Sequence, residues 1–327
     1  MLRLRADPWM PDYGMGFDVA VDDEEAPATA DPFVESEDWS RPRRPRSTQV
    51  QETCVSFVDG VRRAEVRLVA DQDGQRALGL FGTYAAGAVR CLGRAAFADM
   101  FLGRAVVLGS GLAPERVLLN CGRSELTFEP VTEPGSEPAD PLLRLQRLMR
   151  DAEAAVASRL ASTSDSALVL CDGPLGFLER KTVPVVGVIK RFARLYLDAP
   201  QGQLLTRLGP GERTPLFGIV DVAGRTRLYA WYVRLVSLRA PWHDHAGLVR
   251  CEVSALVGLE AAAHVADQVT AILPQFAGRP SDPRAPQNLA PVAGLETWLR
   301  HRMGDPLLIR RALLSYLCAP VASEVTL

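Results

Sequence analysis

Two apolar runs in this 327-residue chain end in the same dipeptide. Residues 55–60 read VSFVDG and residues 168–175 read LVLCDGPL, so Asp59-Gly60 and Asp172-Gly173 each close a strand-like stretch. Two readings stay open. Asp-Gly is a leading hairpin-turn signal, and VRRAEVRL after Gly60 is itself strand-like. It also leaves a carboxylate at the carboxyl end of a buried strand, where α/β folds build ligand sites. Carboxylates converging from several rigid elements hold hard, partly hydrated cations such as Mn2+ or Mg2+. Two such ions stabilise the attacking and leaving oxygens of a phosphodiester displacement.

A third carboxylate is at hand. Residues 139–161 (ADPLLRLQRLMRDAEAAVASRLA) carry Leu, Met, Ala and Val at helical spacing and run into the strand that ends at Asp172. Asp140 is a natural N-cap and Pro141 suits the first helical position. Asp151 and Glu153 are two apart, so they point to different faces and at most one enters a site. Glu153 lies on or beside the stripe of Leu145, Leu148, Met149 and Ala152, with a solvated helix acid as the alternative. Lys190 follows the buried run VVGVI and is placed to touch a phosphate or a water in the site. Arg62, Arg63, Arg191 and Arg250 are candidates for gripping a phosphate backbone, since guanidinium matches phosphate bidentately. The competing reading is a solvated strand edge or, for Arg250, a pair with Glu252.

These residues need a scaffold, and the composition supplies one. The chain is 47% hydrophobic and 23% charged, as in globular domains, and has no apolar run of membrane-spanning length. MLRLRADPWMPDY lacks the apolar stretch of a signal peptide, so a cytoplasmic location is expected. The six cysteines are scattered without a CxxC pair and read as reduced core residues. Net charge is −2, but residues 1–40 hold 11 acids and two arginines, leaving the remainder about +7. Residues 18–48 mix acids, Pro and small residues without periodicity, which predicts a flexible acidic leader (1–48) before one domain (49–320). Strands are expected from residue 53, through 76–91, 104–109 and 115–129, then at 167–171, 183–189, 228–238 and 247–256. Helices are expected at 258–275, 289–303 and 306–318. The absence of GxxxxGK[ST] and GxSxG argues against intrinsic ATP hydrolysis and a serine hydrolase. His243 and His245 in WHDHAG are a metal pair without an evident third ligand, or a surface loop.

Taken in order, FVDGVRR (57–63), the helix carrying Glu153, LVLCDGPL (168–175), VVGVIKR (185–191) and LVRCEV (248–253) resemble the NurA nuclease family over roughly residues 50–310. The resemblance implies an α/β, RNase H-like fold, a central mixed sheet flanked by helices with additional C-terminal helices. It implies hydrolysis of DNA with Mn2+ (or Mg2+), as a 5′-to-3′ exonuclease and single-strand endonuclease. It further implies a homodimer acting beside a HerA-type hexameric translocase in DNA-end processing for recombinational repair. Asp59, Glu153 and Asp172 match the family's catalytic, metal-holding acids. One departure is plain. Where the family carries YPxxLxxAH, residues 285–293 read APQNLAPVA, with Ala285 and Ala293 at the tyrosine and histidine positions. Glu296, one turn beyond Ala293, is available as a substitute, a solvated or capping acid being the alternative. The rival function, which the missing pair favours, is a non-catalytic DNA-binding or scaffold subunit of a translocase complex.

Overall fold

The computed structural model describes residues 2–7, 28–46, 54–163, 168–176, 182, 184–190, 195–237, 242–278 and 287–319. Among them are twelve strands. The first half contributes β1 (Arg3–Ala6), β2 (Thr29–Asp31), β3 (Val55–Gln72), β4 (Gln75–Leu92), β5 (Arg94–Leu108), β6 (Val117–Cys121) and β7 (Ser124–Thr132). After helix α1 (Asp140–Thr163) come β8 (Leu168–Asp172) and β9 (Val185–Ile189). The short helix α2 (Gln203–Arg207) precedes β10 (Phe217–Val220), β11 (Thr226–Arg234) and β12 (Leu248–Ser254). The chain then closes with α3 (Leu259–Ile272), α4 (Ala290–Arg302) and α5 (Pro306–Cys318). The strand–helix–strand–helix order expected from apolar periodicity is therefore present: a large mixed sheet with helices.

The strands lie in the order β2-β10-β11-β12-β9-β8-β3-β4-β5-β7-β6, with β1 also pairing β3. β3, β4 and β5 form an antiparallel meander, while β8 joins β3 in parallel and β9 joins β8 in parallel. β3 runs without a break through Asp59-Gly60, so the hairpin reading of that dipeptide is wrong. The reason is burial: residues 55–59 and 61 are all buried, which leaves no solvent for a turn. The tight turn falls at Asp73-Gly74, where both residues have positive φ (51° and 85°) and Gln72 pairs Gln75.

β3 and β4 are 18 residues each, long enough to cross two cores. The first part of β3, with the end of β4 that pairs it, is covered on one face by α1, packing Ala152 and Val156 on Val58, Val169 and Cys171. The other face is covered by α3 and α4, packing Val265, Val269, Val292, Leu295 and Leu299 on Phe57, Val61 and Leu170. The far part of β3 and β4 belongs to a second core with β6, β7 and α5.

Parts of the segment before residue 49 take part in the sheet. β1 pairs β3, and β2 pairs β10 as the edge strand of the sheet. Arg43 forms a backbone bridge with Arg213. Apolar side chains add to this: Leu2, Leu4 and Ala6 pack on the second core, and Val34 and Trp39 pack on the cores beside β11. Residues 8–27 lie outside the described residues. No helix among those described is long and apolar enough to cross a membrane.

Candidate active site

β3 and β8 run side by side in parallel with Val58 opposite Cys171, so the next residues, Asp59 and Asp172, leave the sheet at one level. Alternation along the strands sends both to the face covered by α3 and α4, since Phe57, Val61 and Leu170 belong to that core. Opposite Asp59 on β4 is Gly87. A Cβ there would lie 3.1 Å from Leu299 and 3.6 Å from Leu295, so the bare backbone lets α4 press close to the sheet. α4 in turn delivers Glu296. Carboxylate oxygens of Asp59, Asp172 and Glu296 lie within 4.8 Å of one another.

Glu153 arrives from the opposite face. It sits on α1 among Met149, Ala152 and Val156 and is buried. Gly60, with no side chain, makes room for it: a Cβ would fall 2.6 Å from Glu153 Oε1, 2.8 Å from Met149 Cγ and 3.1 Å from the Ala85 carbonyl. Arg150 Nη1 donates to Glu153 Oε2 (2.8 Å), while Oε1 is buried with no hydrogen-bond partner of good geometry among the described residues. The Gly60 amide donates to Asp59 Oδ1 (2.8 Å), so one Asp-Gly unit meets the acids of both faces. Gly60→Ala is therefore expected to push Glu153 aside. Overpacking of this kind costs about 1–3 kcal/mol of stability, measurable by denaturant titration. If the chain cleaves DNA, cleavage should fall ~10–100-fold. Unchanged rates in the folded variant would show that the position of Glu153 is immaterial.

The chain beyond Asp172 is tied down at successive residues. Arg150 Nη1 also donates to the Asp172 carbonyl (3.0 Å). Gly173, at φ +100°, turns the chain and donates to the Val188 carbonyl (3.0 Å). The Leu175 amide donates to Glu252 Oε1 (2.7 Å). Lys190 Nζ lies 2.6 Å from Asp172 Oδ2 and 3.3 Å from Asn288 Oδ1. Arg300 pairs with Glu296 one turn away (3.1 Å). Asp172, Glu153 and Glu296 thus each have a cationic side chain on one oxygen.

Asp59 is 6% exposed, and among the described residues none of the ion pairs at the site is made to it. Burial holds its carboxyl well above the usual range, the charges of Asp172 and Glu153 add to this, and Lys190 only partly opposes it. Burial also raises Glu153, against the pull of Arg150. Four converging acids, with the buried Asp59 outside the three ion pairs among the described residues, fit a divalent cation held by hard oxygen donors.

The remaining sequence candidates divide. Arg62 donates to Gln146 on α1, and Arg63 is drawn to Glu65 (2.8 Å) and the Gly304 carbonyl (3.2 Å). Arg250 is 1% exposed, stacked over Tyr196 at 4.9 Å and 3.6 Å from Glu252. The expected backbone contact there is corrected: a side chain enclosed on β12 cannot reach DNA. Arg191 lies outside the described residues. Asp151 is solvent-exposed, and His243 and His245 face each other in a surface turn, rings 6.2 Å apart. No histidine joins a ligand cluster among the described residues. Arg150 and Asn288 were not singled out by sequence reasoning, and Glu252 only as a partner of Arg250. Arg150 reaches Glu153 within its own helix, but its bond to Asp172, that of Glu252 to Leu175 and that of Asn288 to Lys190 are distant in sequence, and no local pattern announces them.

The family model for the NurA domain matches residues 111–292, more than half of the chain. That stretch contains Glu153, Asp172 and Lys190, while Asp59 and Glu296 lie on either side of it. No curated protein matches. Among solved structures, the crystal structure of the NurA nuclease from Sulfolobus solfataricus is similar at a TM-score of 0.45 and 11% identity, covering 81% of this chain and 85% of that one. By the family match, the chain belongs to the NurA domain family.

Proposed function

We propose that this chain is a deoxyribonuclease dependent on Mn2+ or Mg2+, with its centre at Asp59, Asp172, Glu296 and Glu153. The convergence of three carboxylates within 4.8 Å, two from the adjacent strands β3 and β8 and one from α4, carries the reading. Membership in a nuclease family supports DNA as the substrate. An RNase H-like arrangement is supported by the central order β5-β4-β3-β8-β9, an antiparallel meander followed by two parallel strands reached through α1.

In this reading Asp59, Asp172 and Glu296 would hold the cation, with Glu153 beside Gly60 as the fourth acid of the centre. A bound cation would relieve their repulsion and stabilise charge on the phosphodiester during hydrolysis. Water adds to phosphorus as the bond to the leaving sugar oxygen breaks. The protein's own part is to fix the acids on rigid strands and a packed helix, so little reorganisation accompanies the reaction. Lys190, held by Asp172 and Asn288, presents an ammonium to a phosphate oxygen at the same point. Arg62 at the flank of β3 steadies the backbone of the substrate.

As the resemblance implies, the proposed activities are 5′-to-3′ exonuclease and single-strand endonuclease in DNA-end processing, by a cytoplasmic homodimer beside a HerA-type translocase. Glu296 takes the place that a histidine one turn earlier leaves vacant, Ala293 standing there instead. The test is cleavage of end-labelled single- and double-stranded DNA by the purified chain. Cutting with Mn2+ that chelator abolishes, and that falls at least ~100-fold in Glu296→Ala, is expected. DNA binding without any cutting would favour the scaffold-subunit reading instead.

A further inference from the structure

Arg150 joins the two sides of the proposed centre through one nitrogen. It lies on α1 one turn before Glu153, and its Nη1 donates both to Glu153 Oε2 (2.8 Å) and to the main-chain carbonyl of Asp172 (3.0 Å). The chain after Asp172 closes directly on the guanidinium: a Cβ at Gly173 would lie 3.0 Å from Arg150 Nη2. An ordinary helical pair one turn apart contributes about 0.2–0.5 kcal/mol and involves no third group. Here the third group is the backbone of a site aspartate, from a different element. Glu153 has one oxygen taken by Arg150, and its other oxygen, buried and without a hydrogen-bond partner of good geometry, lies against Gly60. Glu153 is 7% exposed, so its geometry is set by this contact and by packing, not by solvent.

We propose that Arg150 is a positioning residue of the nuclease centre. It selects which oxygen Glu153 turns toward the cation, and it locks α1 to the end of β8 at the level of Asp172. It touches neither substrate nor cation and acts through Glu153. The planar guanidinium suits this task because its donors diverge at fixed angles, which an ammonium reproduces only in part. The proposal rests on the cation-site reading above, and its test separates the two.

The experiment is calorimetric titration of Mn2+ into the full chain without DNA, using wild type, Arg150→Gln, Arg150→Lys, Glu153→Gln, the Arg150→Gln/Glu153→Gln double variant and Asp59→Asn. Expected is a ~10–100-fold loss of Mn2+ affinity in Arg150→Gln, as for other residues that orient metal ligands, and partial recovery in Arg150→Lys. The double variant should bind no more weakly than Glu153→Gln, because Arg150 has nothing left to orient. Should Arg150→Gln fail to fold, the lysine variant, which keeps the charge, carries the same comparison on the Glu153→Gln background. Wild-type Mn2+ affinity in the Arg150 variants, or full additivity in the double variant, overturns the proposal. Equal Mn2+ affinity in wild type and Asp59→Asn overturns the cation site itself.

Discussion

Asp59→Asn is expected to reduce Mn2+-dependent cleavage of DNA by ~10³-fold or more, about 4 kcal/mol of transition-state stabilisation. The same substitution should raise the melting temperature of the protein in chelator. Asp59 is buried, its carboxyl is pushed well above the usual range by that burial, and the charges of Asp172 and Glu153 add to the penalty. Asparagine has almost the same shape and cannot ionise, so the penalty at neutral pH disappears and each kcal/mol relieved adds about 2 °C. Mn2+ should then reverse the order. Wild type gains stability by binding the ion, and the variant, lacking a ligand, gains much less. Loss of activity together with a higher melting temperature in chelator is the signature of a functional acid that the fold tolerates at a cost. If the variant melts lower in chelator and keeps its cleavage rate, Asp59 is a structural residue and the centre lies elsewhere.

The paired acids on the helices follow a rule that the sequence did display. On α1, Met149, Ala152, Glu153 and Val156 occupy positions i, i+3, i+4 and i+7, the face that packs on the sheet. On α4, Val292, Leu295, Glu296 and Leu299 repeat that spacing. A carboxylate at a core position of an amphipathic helix has to be compensated by something, and in both helices it lies near Asp59-Gly60 on β3 or Asp172 at the end of β8. For Glu153 this pattern was visible on the stripe. For Glu296 the solvated alternative outweighed it, although the spacing is the same. The Asp-Gly dipeptides teach the opposite lesson. Residues 55–61 are apolar around Asp59-Gly60, whereas DQDGQR surrounds Asp73-Gly74, and only the second turns. Local polarity, more than the dipeptide, separates a ligand strand from a hairpin. What no local pattern encodes is closure at a distance: Arg150 on the Asp172 carbonyl, Glu252 on the Leu175 amide, and Arg250 enclosed under Tyr196.

Closure at a distance also governs the largest expected loss of stability. Arg213 is 1% exposed and receives carboxylates from two directions. Its guanidinium donates to both oxygens of Glu35 (2.9 Å each) and, through Nε, to Asp267 on α3 (2.9 Å). The Leu216 amide also donates to Glu35 (2.6 Å). Arg213→Ala removes the buried counter-ion of these acids, leaving only the more exposed Arg43 and Arg46 near them, and is expected to cost about 3–5 kcal/mol, read as a lower denaturant midpoint. It should also release residues 28–46 from the sheet edge, giving earlier proteolysis there than in the rest of the chain. Acid should reproduce part of this. Burial alone would raise the Glu35 carboxyl, but the hydrogen bond and charge of Arg213, with the Leu216 amide, hold it below its ordinary range. A carboxyl depressed in the folded state contributes stability that is complete above its unfolded pKa, about 4.3, and is lost as pH falls through the lower folded value. Wild type should therefore lose denaturant resistance more steeply below about pH 4.3 than Glu35→Gln, which starts weaker and has no such proton to take up. Parallel pH profiles would show that Glu35 is not held in this way, and that the acidic segment docks by its backbone pairing alone.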